Sequence, residues 1–253
     1  MSDFDLSGRR AVVTGGGRGL GRAMAMALAR AGADLVLVSR SAEQLEMVAD
    51  EVQALGRRTW CVPADLGDPR ATADLADRID AAGGPVQIVV HSAGTQLRKP
   101  AVDVTVDEWD ALMAVNLTSP YFLSCRLGER MHAAGIEGRH IFVTSLTSNI
   151  GIPNISPYCA SKSGLMGVVR ALAVEWATTG STVNAVQPGY FHTDLTEALL
   201  SDPPRRDWVL GRTPMARLGT GDDLAGTVVF LASAASRYIT GQAIAVDGGW
   251  LAS

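Results

Sequence analysis

Along the 253-residue chain, short runs of β-branched and aliphatic residues alternate with longer segments in which Ala and Leu recur at helical spacing. The apolar runs read as strands: "RAVVTG" (10–15), "LVLVSR" (35–40), "TWCVPAD" (59–65), "QIVVHS" (87–92), "HIFVTS" (140–145), "TVNAVQ" (182–187) and "AIAVDG" (243–248). Helical periodicity predicts helices near 19–31, 42–55, 69–82, 107–133, 156–179 and 222–234. The strands show little alternation, as expected of strands covered on both faces of a parallel sheet. Strand–helix alternation then predicts an α/β fold: one Rossmann-like domain over residues 1–253, a doubly wound parallel sheet of about seven strands with right-handed crossovers. One segment breaks the rhythm. The stretch 191–221 joins the sixth and seventh strands, and a connection of that length is expected to serve as a substrate lid.

Composition narrows the partners more than the chemistry. A hydrophobic content of 47% supports a large core, and the net charge of −4 comes from 26 acidic and 22 basic residues spread along the chain. There is no basic stripe for nucleic acid. The acidic start "MSDFDLSG" lacks the positive region of a secretory signal, and no apolar run approaches the roughly 18 residues of a membrane span. The expectation is a cytoplasmic protein without a membrane partner. Cys61, Cys125 and Cys159 are widely spaced with no CxxC pair, which predicts reduced thiols and no metal site.

In an open parallel sheet, ligands bind outside the carboxyl ends of the strands, where strand order reverses. The first strand runs into "TGGGRGLG" at 14–21, ahead of a strong helix former. Gly15 can take the tight turn, Gly19 lets backbone approach a pyrophosphate, and the first N–H groups of the following helix face the anion. Strand before and helix after make this a dinucleotide-binding loop. The second strand ends in Ser39 and Arg40, with no carboxylate for a ribose 2′-hydroxyl, and Arg18 adds a second guanidinium. Two arginines suit a 2′-phosphate, so NADP(H) is preferred over NAD(H), although both are also ordinary solvated loop arginines. Asp65 suits the adenine amino group or, like Asp68, the start of the next helix.

The fifth strand ends at Ser145, and thirteen residues on comes "YCASK" at 158–162. Tyr158 and Lys162 are four apart and share a face if the segment is helical. A tyrosine with a reference pKa near 10 needs help to move a proton at neutral pH, and the Lys162 ammonium is expected to favour its phenolate. Ser145 then supplies a hydroxyl donor to a carbonyl oxygen that gains negative charge. A half-buried helix carrying Tyr and Lys by chance is the alternative that the glycine loop argues against.

These motifs, with "DL" (65–66), "AG" (93–94), "VNL" (115–117), "QPG" (187–189) and "VDGG" (246–249), resemble the short-chain dehydrogenase/reductase family over essentially the whole chain. The resemblance implies a tetrad in which Tyr158 is the general acid/base and Ser145 orients the carbonyl. Lys162 lowers the Tyr pKa and holds the nicotinamide ribose, and Asn116 anchors a water in a proton relay. It also implies cofactor contacts at Leu20, Gly21, Leu66, Ala93, Gly94, Pro188, Gly189 and Thr193, and a homotetramer built through the helices near 107–133 and 156–179. Trp250 is expected at a subunit contact.

The family's usual Asn-Asn-Ala-Gly is "HSAG" here, at 91–94. His91 and Ser92 are expected to hold the cofactor-side backbone through different hydrogen bonds, one ring nitrogen serving a backbone group. "TQLRKPAVDVTVDEW" (95–109), "EWA" (175–177) and "VDGGWLA" (246–252) are similar to the gluconate 5-dehydrogenase and 2-deoxy-gluconate dehydrogenase branch. The implied reaction is hydride exchange between a nicotinamide and a small-molecule secondary alcohol or ketone, a sugar acid or polyol. Arg98 suits a substrate carboxylate, with Asn149, Tyr190 and His192 as further substrate-side donors. Reduction of a 3-oxoacyl carrier-protein thioester or a hydrophobic ketone is the first alternative; Val174 stands where carrier-binding reductases often present arginine. A non-catalytic NADP-binding regulator is the second, and the intact Ser145, Tyr158 and Lys162 speak against it.

Overall fold

A computed structural model describes residues 2–193, 196 and 201–253. Its strands are β1 (Arg10–Thr14), β2 (Asp34–Ser39), β3 (Thr59–Pro63), β4 (Ile88–His91), β5 (Arg139–Val143), β6 (Thr182–Pro188) and β7 (Ala243–Val246). They form one all-parallel sheet in the order β3-β2-β1-β4-β5-β6-β7. Every residue of β4, β5 and β6 is buried, whereas the edge strands β3 and β7 are only half covered. The expectation of uniform burial therefore holds for the interior of the sheet and stops at its edges.

Successive strand residues point to opposite faces. Val13, Leu35, Leu37, Val90 and Ile141 pack on one side with α1 (Gly19–Arg30), α2 (Ala42–Ala54) and α8 (Gly221–Ala232). Val12, Val36, Val89 and Phe142 pack on the other with α3 (Thr72–Ala81), α5 (Ser119–Ala133) and α6 (Ser156–Trp176). The chain winds outward from β1 to β3 and returns to place β4 beside β1, pairing Thr14 with both Val38 and His91. The strand order reverses at this point, and the crevice above it is where a ligand belongs.

The predicted continuous helix 107–133 is interrupted. It comprises α4 (Val106–Met113), a π turn over Ala114–Thr118, and α5. Pro120 accounts for the break, because it has no N–H to offer the carbonyl of Asn116 four residues earlier. Between β6 and β7 lies α7 (Pro203–Arg212), whose Val209 is fully buried against Leu146 and Trp250. The 191–221 segment is pinned at its base, where the Gly219 N–H donates to Tyr190 O at 2.9 Å and the His192 N–H to Gly219 O at 3.2 Å. Residues 194, 195 and 197–200 of the expected lid lie outside the described residues.

Candidate active site

The glycine loop turns where the chain requires it. Gly15 has φ +68, and a Cβ there would lie 2.9 Å from the Ala93 backbone, so the loops after β1 and β4 touch across the crevice. A Cβ on Gly21 would lie 2.1 Å from Gly15 O, which fixes how closely α1 enters the turn. Gly19, by contrast, faces open space at φ +54. Arg18 at the α1 N-cap makes no side-chain cap, so the first N–H groups of the helix point outward without one. This is a cradle of the shape and polarity that a dinucleotide pyrophosphate fits. Leu20 packs into the core and presents only backbone. Thr14 Oγ1 accepts from Ala93 N–H at 3.2 Å, tying the two loops again.

At the end of β2, Ser39 is half-buried with its hydroxyl on Ser41 O at 3.3 Å. Arg40 is exposed and pairs with no carboxylate among the described residues. Asp65 spends its carboxylate on the Gly67 N–H at 2.9 Å, while Asp68 caps the following turn through the Arg70 N–H at 3.0 Å. The capping alternative thus falls to Asp68. Leu66 is a core residue whose carbonyl accepts from Ser119 Oγ at 2.7 Å.

Ser145 follows β5, and α6 carries Tyr158 and Lys162 one turn apart near its N-terminus, with Pro157 setting the helix start. The Ser145 and Tyr158 side chains are hydrogen-bonded. Lys162 is buried and donates to Val143 O at 2.8 Å, with Nζ 5.6 Å from the Tyr158 ring centre. Burial pushes the Tyr158 hydroxyl up to about 12, the Ser145 bond opposing it, and pushes the Lys162 ammonium down to about 8. The expected lowering of the tyrosine by Lys162 is therefore absent from this structure. Desolvation outweighs it, and the lysine is turned onto a backbone carbonyl instead.

Asn116, fully buried in the π turn, grips one peptide unit from both sides. Its Oδ1 accepts from Thr95 N–H and its Nδ2 donates to Thr95 O, each at 2.8 Å, and Nδ2 also reaches Ser161 Oγ at 3.2 Å. The side chain is thus committed to the loop after β4. Gly94 lies beside it, its Cβ direction 3.5 Å from Asn116 Oδ1 and 3.7 Å from Lys162 Nζ. Gln187, inside β6, donates to Ser145 O and to Asn149 Oδ1 at 2.8 Å each, so Asn149 is a brace of the Ser145 loop through that oxygen. Nothing in the apolar pattern of the strand marked Gln187 as a site residue. Its interruption of a buried strand by an amide is the signal that was present.

The substituted pair also sits differently from expectation. His91 is buried, stacked on Phe142 at 4.6 Å, and bonded through Nε2 to Ser124 Oγ at 2.7 Å. Ser124 in turn meets His140 Nδ1 at 3.0 Å. The ring serves a side chain of α5 rather than a backbone group, because β4 delivers it to the face packed by α5. Ser92 stays half-buried beside Gly21.

Gly189 approaches β7 so closely that a Cβ would lie 2.7 Å from Asp247 Cα, and the preceding Pro188 is buried. Beyond them Tyr190 is half-buried against Trp250 at 4.9 Å, and Arg98 is exposed on the β4 loop. His192 is exposed, and the Thr193 N–H donates to Thr196 Oγ1 at 3.1 Å. Trp250, expected at a subunit contact, is 1% exposed within its own chain, enclosed by Tyr190, Trp208, Leu146 and Val209. Trp208 and Arg212 of α7 were not singled out, although their spacing of four places them together on one helix face.

Residues 15–251 match the family model described as enoyl-(acyl carrier protein) reductase. Over 252 residues the chain is 42% identical to 2-dehydro-3-deoxy-D-gluconate 5-dehydrogenase of Escherichia coli, covering 100% of this chain and 99% of the relative. It is 37% identical over 246 residues to gluconate 5-dehydrogenase of Gluconobacter oxydans, covering 97% of this chain and 96% of the relative. Among solved structures it is similar to gluconate 5-dehydrogenase of Burkholderia cenocepacia in complex with NADP and tartrate. That likeness has a TM-score of 0.95 at 36% identity, over 99% of this chain and 98% of the other. The chain belongs to the short-chain dehydrogenase/reductase family of oxidoreductases.

Proposed function

We propose that the protein exchanges a hydride between NADP(H) and the secondary alcohol or ketone of a sugar acid or related polyol. The observation that carries this reading is the hydrogen-bonded Ser145–Tyr158 pair beside buried Lys162, at the mouth of a glycine loop that fits a dinucleotide. The relatives acting on gluconate and 2-dehydro-3-deoxy-D-gluconate, and the NADP of the Burkholderia cenocepacia complex, support the substrate class and the cofactor. Gly15, Gly19, Gly21 and the α1 N-terminus would hold the pyrophosphate, and Ala93 and Gly94 the adjoining backbone. Ser39 stands where a carboxylate would select NAD, with Arg40 and Arg18 beside it, which favours a 2′-phosphate.

When bound, the nicotinamide supplies or accepts the hydride. For reduction, the neutral Tyr158 hydroxyl delivers a proton to the carbonyl oxygen while Ser145 Oγ–H donates to the same oxygen. Lys162 then offsets the phenolate charge left on Tyr158. The Asn116 carbonyl, deprived of a helix N–H by Pro120, is an acceptor for a water that returns the proton. Exposed Trp109, Tyr121 and Phe122 along α4 and α5, and Val174 on α6, suit a homotetramer built on those helices.

A spectrophotometric screen of NADPH oxidation and NADP reduction against sugar acids, polyols, β-ketoesters and simple ketones tests the substrate class. Tyr158→Phe is expected to lower turnover on the best substrate by about 10² to 10⁴-fold while NADPH still binds. Near-normal turnover in that variant sinks the assignment.

A further inference from the structure

Arg212 closes α7, and its surroundings set it apart from the other arginines of that helix. Arg205 and Arg206 pair with Asp202 and Asp207 at 3.1 and 3.3 Å. Arg212 pairs with no carboxylate among the described residues. Its guanidinium lies instead 6.0 Å from the Trp208 ring centre, one turn back, and 5.0 Å from that of Trp250. The two indoles meet edge to face at 5.4 Å, and Trp250 packs on Tyr190 at 4.9 Å. Behind them, buried Val209 and Trp250 are seated on Leu146, the residue after Ser145. A guanidinium held over ring faces is oriented without using its N–H fork, which stays available to an anion.

A second cation arrives from another element. Arg98 is exposed on the loop after β4 and likewise pairs with no carboxylate among the described residues. Its neighbour Lys99 fixes that loop, donating its backbone N–H to Asn154 O at 2.8 Å and its ammonium to Glu108 at 2.9 Å. Asn154 lies in the stretch between Ser145 and Tyr158, so the Arg98 loop is tied to the loop that presents the reacting groups. Both guanidiniums act on the Tyr190 hydroxyl, restraining the rise that burial imposes on it. Two uncompensated cations converging on one half-buried tyrosine repel each other until an anion joins them.

We propose that Arg212 and Arg98 form a two-part clamp for the carboxylate of the substrate, with Arg212, oriented by Trp208 and Trp250, as a specificity-determining residue. The clamp rests on the sugar-acid reading above for its biological occupant, and its anion site is tested separately from turnover. Titration with tartrate of the full-length protein saturated with NADP, followed by indole fluorescence, reports on Trp208 and Trp250 beside Arg212. The wild type is expected to show a saturable change, and Arg212→Ala to weaken it about 10- to 100-fold. Arg212→Lys is expected to be intermediate, since it keeps the charge and loses the fork. Arg98→Ala should weaken it comparably, and the double variant by less than the product of the two.

In steady-state assays, Arg212→Ala should raise KM for gluconate by the same factor and leave KM for a neutral polyol of equal length within about twofold. Absence of a saturable tartrate signal in the wild type, or an undiminished signal in Arg212→Ala, overturns the clamp. So does an equal loss on carboxylated and neutral substrates, which assigns Arg212 to packing. A wild type that binds tartrate through Arg212 but turns over no sugar acid retains the clamp and refutes the proposed substrate class.

Discussion

A phenol buried without a charge beside it is a poor base, and Tyr158 meets that description here. Burial holds it near 12 and draws Lys162 down to about 8, so at neutral pH the pair is phenol plus ammonium. That state serves reduction, in which the phenol gives up its proton and the ammonium receives the resulting charge. With Lys162 charged below about 8 and neutral above it, kcat/KM for ketone reduction should be flat between about pH 6 and 7 and fall about tenfold per unit well above 8. A profile of NADPH oxidation that rises through pH 8 contradicts this. The phosphate-reading assignment is a residue-scale matter too. Arg40→Asp places a carboxylate at the end of β2, and the ratio of kcat/KM for NADP to NAD should drop at least about tenfold; an unchanged ratio removes Arg40 from cofactor selection.

At the scale of elements, β4, β5 and α5 are joined by the chain His91–Ser124–His140. Ser124 has one hydroxyl hydrogen, so one of the two rings accepts it and must carry its own proton on the outward nitrogen. Neither outward nitrogen, His91 Nδ1 or His140 Nε2, has a partner among the described residues. An orphaned buried N–H costs about 1–3 kcal/mol. Burial, and to a lesser extent a neighbouring histidine, lowers both rings to about 3 from 6.5. The folded protein therefore keeps them neutral while the unfolded chain takes up protons below 6.5. Stability is full above that pH and is lost as pH falls from 6.5 toward 3, by about 2 kcal/mol per ring at pH 5. His91→Asn should recover about 2 kcal/mol of the difference between urea-unfolding stabilities at pH 7.5 and pH 5. An acid sensitivity equal to that of the wild type contradicts this account.

The same scale shows where sequence reasoning reaches and stops. The glycine loop, the strand ends and the Tyr158–Lys162 spacing were legible because each is local: a turn, a period of two, a period of 3.6. The break at Ala114–Thr118 was missed although Pro120 is plainly visible, because hydrophobic periodicity runs on through a π turn. His91 was misjudged in its partner, since only packing of α5 on β4 brings Ser124 within 2.7 Å. Gln187, Trp208 and Arg212 act through contacts between elements far apart in the chain, and single-sequence patterns carry no such distances.

For the whole molecule, the decisive arrangement is the return of the chain to lay β4 beside β1. It brings Gly15 against Ala93 and places both beside Lys162 and Asn116 at one mouth, while β7 and α7 close the far side. Alternation of strands and helices implied such a sheet, but the burial of Trp250 inside the chain, rather than between subunits, required the position of α7. Asn116's grip on both sides of Thr95 has a consequence for how such a protein diversifies. Everything before Thr95 is locked to the shared machinery, and everything from Gln96 to Pro100 hangs beyond the lock. A lineage can redraft those five positions, Arg98 among them, and acquire a new taste in substrates without renegotiating its means of oxidation and reduction.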